Sequence, residues 1–218
     1  TWPADSRATV NMKRDLLAAD FDVPAPGPVN QVRARVIGVV ENQAPTKSLE
    51  ADLPVRDGLV EATGETCQIA LVERHRATGG VTNAFVSGFG YDVPCAVAST
   101  VAHDSHHMIV VGTSKPDMAL AANRLRAIGG GVTVWREGVE LAHVALPIAG
   151  LMSDAPAEEV AEAAQSVVAA MQACGCKLNN AYMQHSLLAL VVIPALRISD
   201  VGLIDVTRFE KTDLFLPG

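Results

Sequence analysis

Between two apolar stretches the sequence places His103, Asp104, Ser105, His106 and His107 in one short run. Imidazole titrates near neutral pH, and a carboxylate beside it can orient it or hold its charge. Several chemistries fit these residue types. His103 with His106 or His107 has the spacing to chelate a metal on a helix, but no third ligand is evident. Ser105 with a His and an Asp suggests a hydrolase, but sequence neighbours rarely form a triad, and no Gly-x-Ser-x-Gly elbow surrounds Ser105. A polar loop facing a substrate or an interface asks only for a rigid support. A hydrogen-bonded structural turn is the remaining alternative.

Other polar groups are weaker candidates. Glu73-Arg74-His75-Arg76 ends an apolar run and reads as a solvated strand end, or else as a contact to a ligand or a neighbouring domain. Gly88-Phe89-Gly90 permits close backbone approach, either to a ligand or in a plain turn. Gly129-Gly130-Gly131 follows a helix instead of preceding one, so it presents the wrong end of the dipole to be a phosphate loop. His143 and His185 lie in apolar surroundings and read as core or surface histidines.

The elements that must hold these groups can be read from periodicity and punctuation. Val32 to Val40 alternates as a strand, and Thr46 to Val55 is its expected partner. Asp57-Gly58 signals a turn. Gln68 to Arg74 and Met108 to Gly112 are apolar enough to be strands buried on both faces. Arg76 to Gly90 is rich in glycine and polar groups, and Ala96 to Val101 is small and apolar.

A first helix is expected over about 116–128, with Ser114 as N-cap, Asp117 completing a capping box and the glycines as its stop. A second is expected over about 155–174, with Glu158 and Glu159 at its positive end. Val132 to Arg136 and Val139 to Leu146 form a hairpin around Glu137-Gly138. Leu187 to Ile193, a loop, and Leu203 to Phe209 complete the chain. Strands outnumber helices and are often adjacent, which predicts an α+β fold with a mixed, mainly antiparallel sheet and two principal helices. Residues 1–31 read as a connector, with a short helix over Asn11 to Ala19 and a proline-rich stop, before a compact domain at 32–218.

Composition narrows the function. The 218 residues suffice for one good core, and 49% of them are hydrophobic with only 4% aromatic, so that core is aliphatic. A net charge of −7 with no basic run argues against nucleic acid, which is bound first through phosphate neutralisation. Four cysteines, two of them in Cys174-Gly-Cys176, match neither a disulfide framework nor a zinc knuckle and suit a reducing cytoplasm. Leu187 to Leu196 is too short to span a bilayer, and no signal peptide is visible. The absence of an initiator Met leaves three alternatives: a processed product, a fragment, or one domain of a longer polypeptide.

Several longer words carry a resemblance. Ala98-Ser99-Thr100-Val101-Ala102-His103-Asp104-Ser105-His106 followed by Ile109-Val110-Val111-Gly112-Thr113 is similar to the central motif of the adenine deaminase C-terminal domain. Ala34 to Val39 with Thr46 to Leu49, Val72 to His75, Asp117 to Ala121 with Asn123 to Leu125, and Leu146 to Ser153 resemble the same family in the same order. The stretch from Phe21 to Gly27 is similar to that family's link to its catalytic barrel, so the likeness covers nearly the whole chain.

The resemblance implies hydrolysis of adenine to hypoxanthine and ammonia by a metal-dependent amidohydrolase, with iron or manganese in a (β/α)8 barrel. It implies that the metal ligands, including a His-x-His pair, belong to that barrel. No His-x-His occurs here, and a barrel needs about 250 residues, so the metal-binding part is expected upstream of this chain, with no metal site inside it.

His103 and Asp104 are then the expected catalytic residues, and Ser105 and His106 the expected substrate-binding ones. His107 stands where the family motif commonly has Asn, which ranks it lowest. Adenine and the upstream barrel are the expected partners, in a cytoplasmic homo-oligomer free of nucleic acid and membrane. A structural or oligomerisation module is the alternative.

Overall fold

A computed structural model describes residues 2–217. The strands are β1 (Gln31–Gly38), β2 (Lys47–Arg56), β3 (Leu59–Val60), β4 (Thr66–Val72), β5 (Val81–Ser87), β6 (Cys95–Ser99), β7 (Met108–Gly112), β8 (Gly131–Arg136) and β9 (Val139–Ala145). They form one nine-stranded sheet in the order β3-β2-β1-β5-β4-β7-β6-β8-β9. Only β1 and β5 run parallel in it; the other pairs are antiparallel. Three helices, α1 (Lys115–Ile128), α2 (Ala157–Ala173) and α3 (Ala181–Leu187), accompany a small antiparallel sheet of β10 (Leu196–Ser199), β11 (Gly202–Asp205) and β12 (Glu210–Thr212). The α+β class and both principal helices stand as the sequence predicts.

The large sheet is covered on both faces. Helix α1 and residues 10–21 pack against Ala70, Val72, Ala96, Ala98, Met108 and Val110. Helices α2 and α3 with β10 and β11 close over Ile69, Leu71, Val97, Ile109 and Val111 on the other face. Every residue of β4, β6 and β7 is therefore buried, and Ile69 to Val72, Cys95 to Ala98 and Met108 to Val111 read as continuous apolar runs instead of alternating ones.

Both ends of α1 are written locally. Ser114 Oγ accepts the Asp117 N–H at 3.3 Å, and Gly129 takes the left-handed conformation at φ 79°. The Asp117 carboxylate does not close a capping box. It is buried and accepts the Glu137 N–H at 3.2 Å and the Gly138 N–H at 2.7 Å, so it ties the β8–β9 turn to the helix. Ser114→Ala is expected to lower stability by about 1 kcal/mol. Urea denaturation checks this, and an unchanged midpoint would show that the cap is dispensable.

Other expectations need correction. Asn11 to Ala19 forms no helix; only a single 3-10 turn, Ala18–Phe21, lies in this region. Its backbone is spent on tertiary partners: the Asn11 N–H donates to Arg74 O at 2.7 Å, and Asn123 bonds both the N–H and the carbonyl of Leu16. Met12 and Leu16, with Val10 just before them, are buried in the apolar layer that α1 covers. Within Arg76 to Gly90 the structure forms β5, whose Ala84, Phe85 and Val86 are buried between β1 and β4. The segment before β10 opens with α3, whose buried face includes polar Gln184, His185 and Ser186, a pattern that apolar periodicity does not register.

Candidate functional site

The end of β4 holds the His-rich loop. After Val72 the chain turns, and the Glu73 carboxylate gathers the N–H groups of His75 (2.5 Å), Arg76 (2.7 Å) and Thr78 (2.9 Å) with the Thr78 hydroxyl (3.0 Å). Burial pushes this carboxyl up, but the donors from Thr78, Arg76 and His75 outweigh it and hold it at about 2. Glu73 is therefore an ionised turn organiser.

Arg74 points the opposite way and is 1% exposed. Its guanidinium donates to the carbonyls of His106 (2.6 Å), Thr9 (3.1 Å) and Ala149 (3.2 Å). Burial lowers it to about 10, so it stays charged at neutral pH. His75 completes the support: its Nε2–H donates to the Ser105 carbonyl at 2.8 Å, and its ring lies 4.8 Å from that of His107.

The loop between β6 and β7 is a tight turn. The His106 N–H donates to Ala102 O at 2.7 Å, the Ala102 N–H donates back to His106 Nδ1 at 3.3 Å, and His106 sits at φ 51°. Because Nδ1 accepts, the neutral ring carries its proton on Nε2. The His103 N–H donates to Ser186 O at 3.1 Å, and its ring lies 5.3 Å from that of His106. Asp104 and Ser105 are exposed.

A cavity of about 520 Å³ opens between the loop and the β4 end, lined by Glu73, His75, Arg76, Thr82, Ser105, His107 and Asp200 among others. His107 is 8% exposed, its Nδ1 is buried without a partner, and its Nε2 lies 3.8 Å from an Asp200 carboxylate oxygen. Burial and then His75 lower the His107 pKa against the pull of Asp200 and Glu73. Burial, His103 and Arg74 lower His106. Both shifts disfavour the imidazolium form; His106 spends Nδ1 on the Ala102 N–H and keeps Nε2–H to donate, and His107 turns Nε2 towards Asp200.

The structure thus brings Ser105 into a cavity with His107, while His103, Asp104 and His106 are not among its lining residues. His75 meets Ser105 at the carbonyl, which is not a nucleophile–base arrangement. Among the described residues no group of three or more His, Cys, Asp or Glu is placed to hold a metal ion. Sequence reasoning missed Thr82 and Asp200. Asp200 lies in the β10–β11 turn, where Thr82 Oγ1 bonds its carbonyl at 3.0 Å, and nothing local marks it. Arg74 and His75 were legible as a charged strand end, with a contact to a ligand or a neighbouring domain as the alternative. His185 is core, 0% exposed, whereas His143 is half-exposed and lies 3.2 Å from Glu140.

Comparison with known proteins adds extent to this geometry. The family model for the adenine deaminase C-terminal domain matches residues 43–210. An adenine deaminase from Paracoccus denitrificans (strain Pd 1222) is 71% identical over 215 residues, covering 99% of this chain and 36% of that protein. One from Ruegeria sp. (strain TM1040) is 70% identical over 216 residues with the same coverage. A more distant one from Rubrobacter xylanophilus is 45% identical over 207 residues, 94% of this chain and 34% of its own length. The chain therefore spans about a third of the length of these relatives.

Proposed function

The chain belongs to the adenine deaminase C-terminal domain family, and from that premise we propose that it is the C-terminal part of an adenine deaminase, serving the hydrolysis of adenine to hypoxanthine and ammonia. What supports this reading is likeness running the whole length of the chain instead of resting on one motif. Residues 1–31 act as the connector from an upstream barrel, and 32–218 as the domain proper. In this reading the complete protein works in the cytoplasm as a homo-oligomer.

Iron or manganese belongs to the upstream barrel in this reading. The residues described here do not fit such an ion, so their contribution is derived without it. That contribution is a polar wall. His103, half-buried, and Asp104, exposed, lie outside the cavity lining, and in this reading a neighbouring active site uses them to relay a proton. Ser105 and His106 present hydrogen bonds to the purine. With His106 Nδ1 taken by the Ala102 N–H, its Nε2–H is the group left to donate, which suits a ring-nitrogen acceptor of the purine.

The test is removal of residues 32–218 from the complete protein. Adenine turnover is expected to fall by a factor of about a hundred or more, as when substrate-positioning groups are lost. Full-rate deamination by the remainder alone rejects the proposal. If His103→Ala and His106→Ala change assembly or stability but leave kcat/KM for adenine intact, the domain's role is structural.

A further inference from the structure

The Arg74 guanidinium is buried and, among the described residues, makes no ion pair with a carboxylate. Burying an uncompensated cation is costly, and an apolar side chain of similar volume would fill the space without that cost. What an apolar side chain cannot do is fix several carbonyls at once in the plane of a rigid fork. The three carbonyls that Arg74 holds lie 65, 32 and 75 residues away along the chain, at Thr9, His106 and Ala149.

The surroundings are built for this group. Gly150 lies flat against the guanidinium: a Cβ there would sit 3.0 Å from its nitrogens. The segment holding Thr9 is laid alongside residues 74–75, with the Asn11 N–H on Arg74 O at 2.7 Å and Asn11 Nδ2 on His75 O at 3.3 Å. The same segment is pinned to the 149–154 turn by the Ala149 N–H on Ser6 O and by the Arg7–Asp154 ion pair. At the other side the fork holds His106, whose two preceding and following neighbours, Ser105 and His107, line the cavity.

We propose that Arg74 is a positioning residue that sets the His-rich loop in register with the N-terminal segment, so that the placement of Ser105 and His107 depends on how that segment is seated. The effect on turnover rests on the reading given under Proposed function; the coupling between the two segments does not.

The test compares Arg74→Lys and Arg74→Met in the complete protein by amide hydrogen exchange and adenine kinetics. Lysine keeps the charge and most of the volume but loses the fork, so it decides the matter if the methionine variant unfolds. In Arg74→Lys, exchange is expected to rise about tenfold or more in both 5–12 and 102–107, with the β8–β9 hairpin unchanged. The kcat is expected to fall about tenfold while KM moves less than about threefold, the split expected when an arranged geometry is lost and binding is kept. Free guanidinium at millimolar concentration added to Arg74→Ala is expected to restore protection in both segments.

Parent-like exchange in 102–107 overturns the proposal, as does a rise confined to 5–12. A rise in both segments with unchanged turnover upholds the coupling and rejects the loop's part in the reaction. A complete protein that never deaminates adenine rejects the functional reading alone.

Discussion

Gly131→Ala is expected to destabilise the fold by more than about 3 kcal/mol, because backbone strain that costs about 1–3 kcal/mol by itself is joined here by a clash with main-chain atoms. Gly131 begins β8 at φ 143°, and a Cβ built there would lie 2.0 Å from the Val144 carbonyl oxygen of the paired strand. Moving the backbone aside is obstructed. The Gly131 N–H donates to Thr100 Oγ1 at 2.8 Å, its carbonyl accepts the Thr100 N–H at 2.9 Å, and Thr100 Oγ1 donates in turn to Gly150 O at 2.6 Å. Gly130 is also tight, since a Cβ there would meet Gly150 Cα at 2.5 Å.

The change should therefore spread through Gly150 to Arg74 and the His-rich loop. Gly138→Ala is the matched control, with φ 81° but open space around the new methyl, and should cost about 1 kcal/mol. Urea midpoints for the two variants decide the matter. A Gly131→Ala loss no larger than the control's would mean that the ladder yields and the packing argument is wrong.

How much of this was legible depends on the range of the interactions. Ser114, Pro116 and Gly129 act within a turn of where they stand, and α1 falls within a residue of its expected bounds. Asp57-Gly58 and Glu137-Gly138 both take positive φ in two-residue turns, which is local chemistry too. Asp117 shows the limit: its backbone behaves as a helix start, while its side chain serves a hairpin 20 residues on.

Gly129-Gly130-Gly131 reads as a helix stop, which it is. That two of these glycines are also needed for contact with Val144 and Gly150 is a tertiary fact with no local trace. The candidate site divides the same way. Its His-rich loop is a sequence motif, but the cavity forms only where Glu73, His75, Thr82 and Asp200 arrive from three other parts of the chain. His107, ranked lowest in sequence, is the imidazole of the motif that lines it.

Acid should destabilise this chain in two adjoining windows, and the upper one traces to His185. That ring is 0% exposed; its Nε2–H donates to Val97 O at 3.3 Å, its Nδ1 is buried without a partner, and Phe89 approaches edge-on at 6.2 Å. Burial lowers its pKa from 6.5 to about 4, with the Val97 carbonyl opposing only weakly. Between those values the unfolded chain binds a proton that the folded chain refuses, so stability rises with pH there and is lost as pH falls from 6.5 towards 4. A shift of that size corresponds to about 3 kcal/mol.

Glu73 acts lower. Its folded pKa of about 2 lies below the ordinary 4.5, so its contribution is present above 4.5 and disappears as pH falls towards 2. His185→Leu should flatten the stability–pH curve between 4 and 6.5 and leave the lower window in place. Some slope will persist, because His106 and His107 are shifted in the same direction. Urea denaturation across pH 4–7 measures this directly. A variant whose slope matches the parent's would show that His185 is not the group being titrated, and that the acid sensitivity resides in the His-rich loop itself.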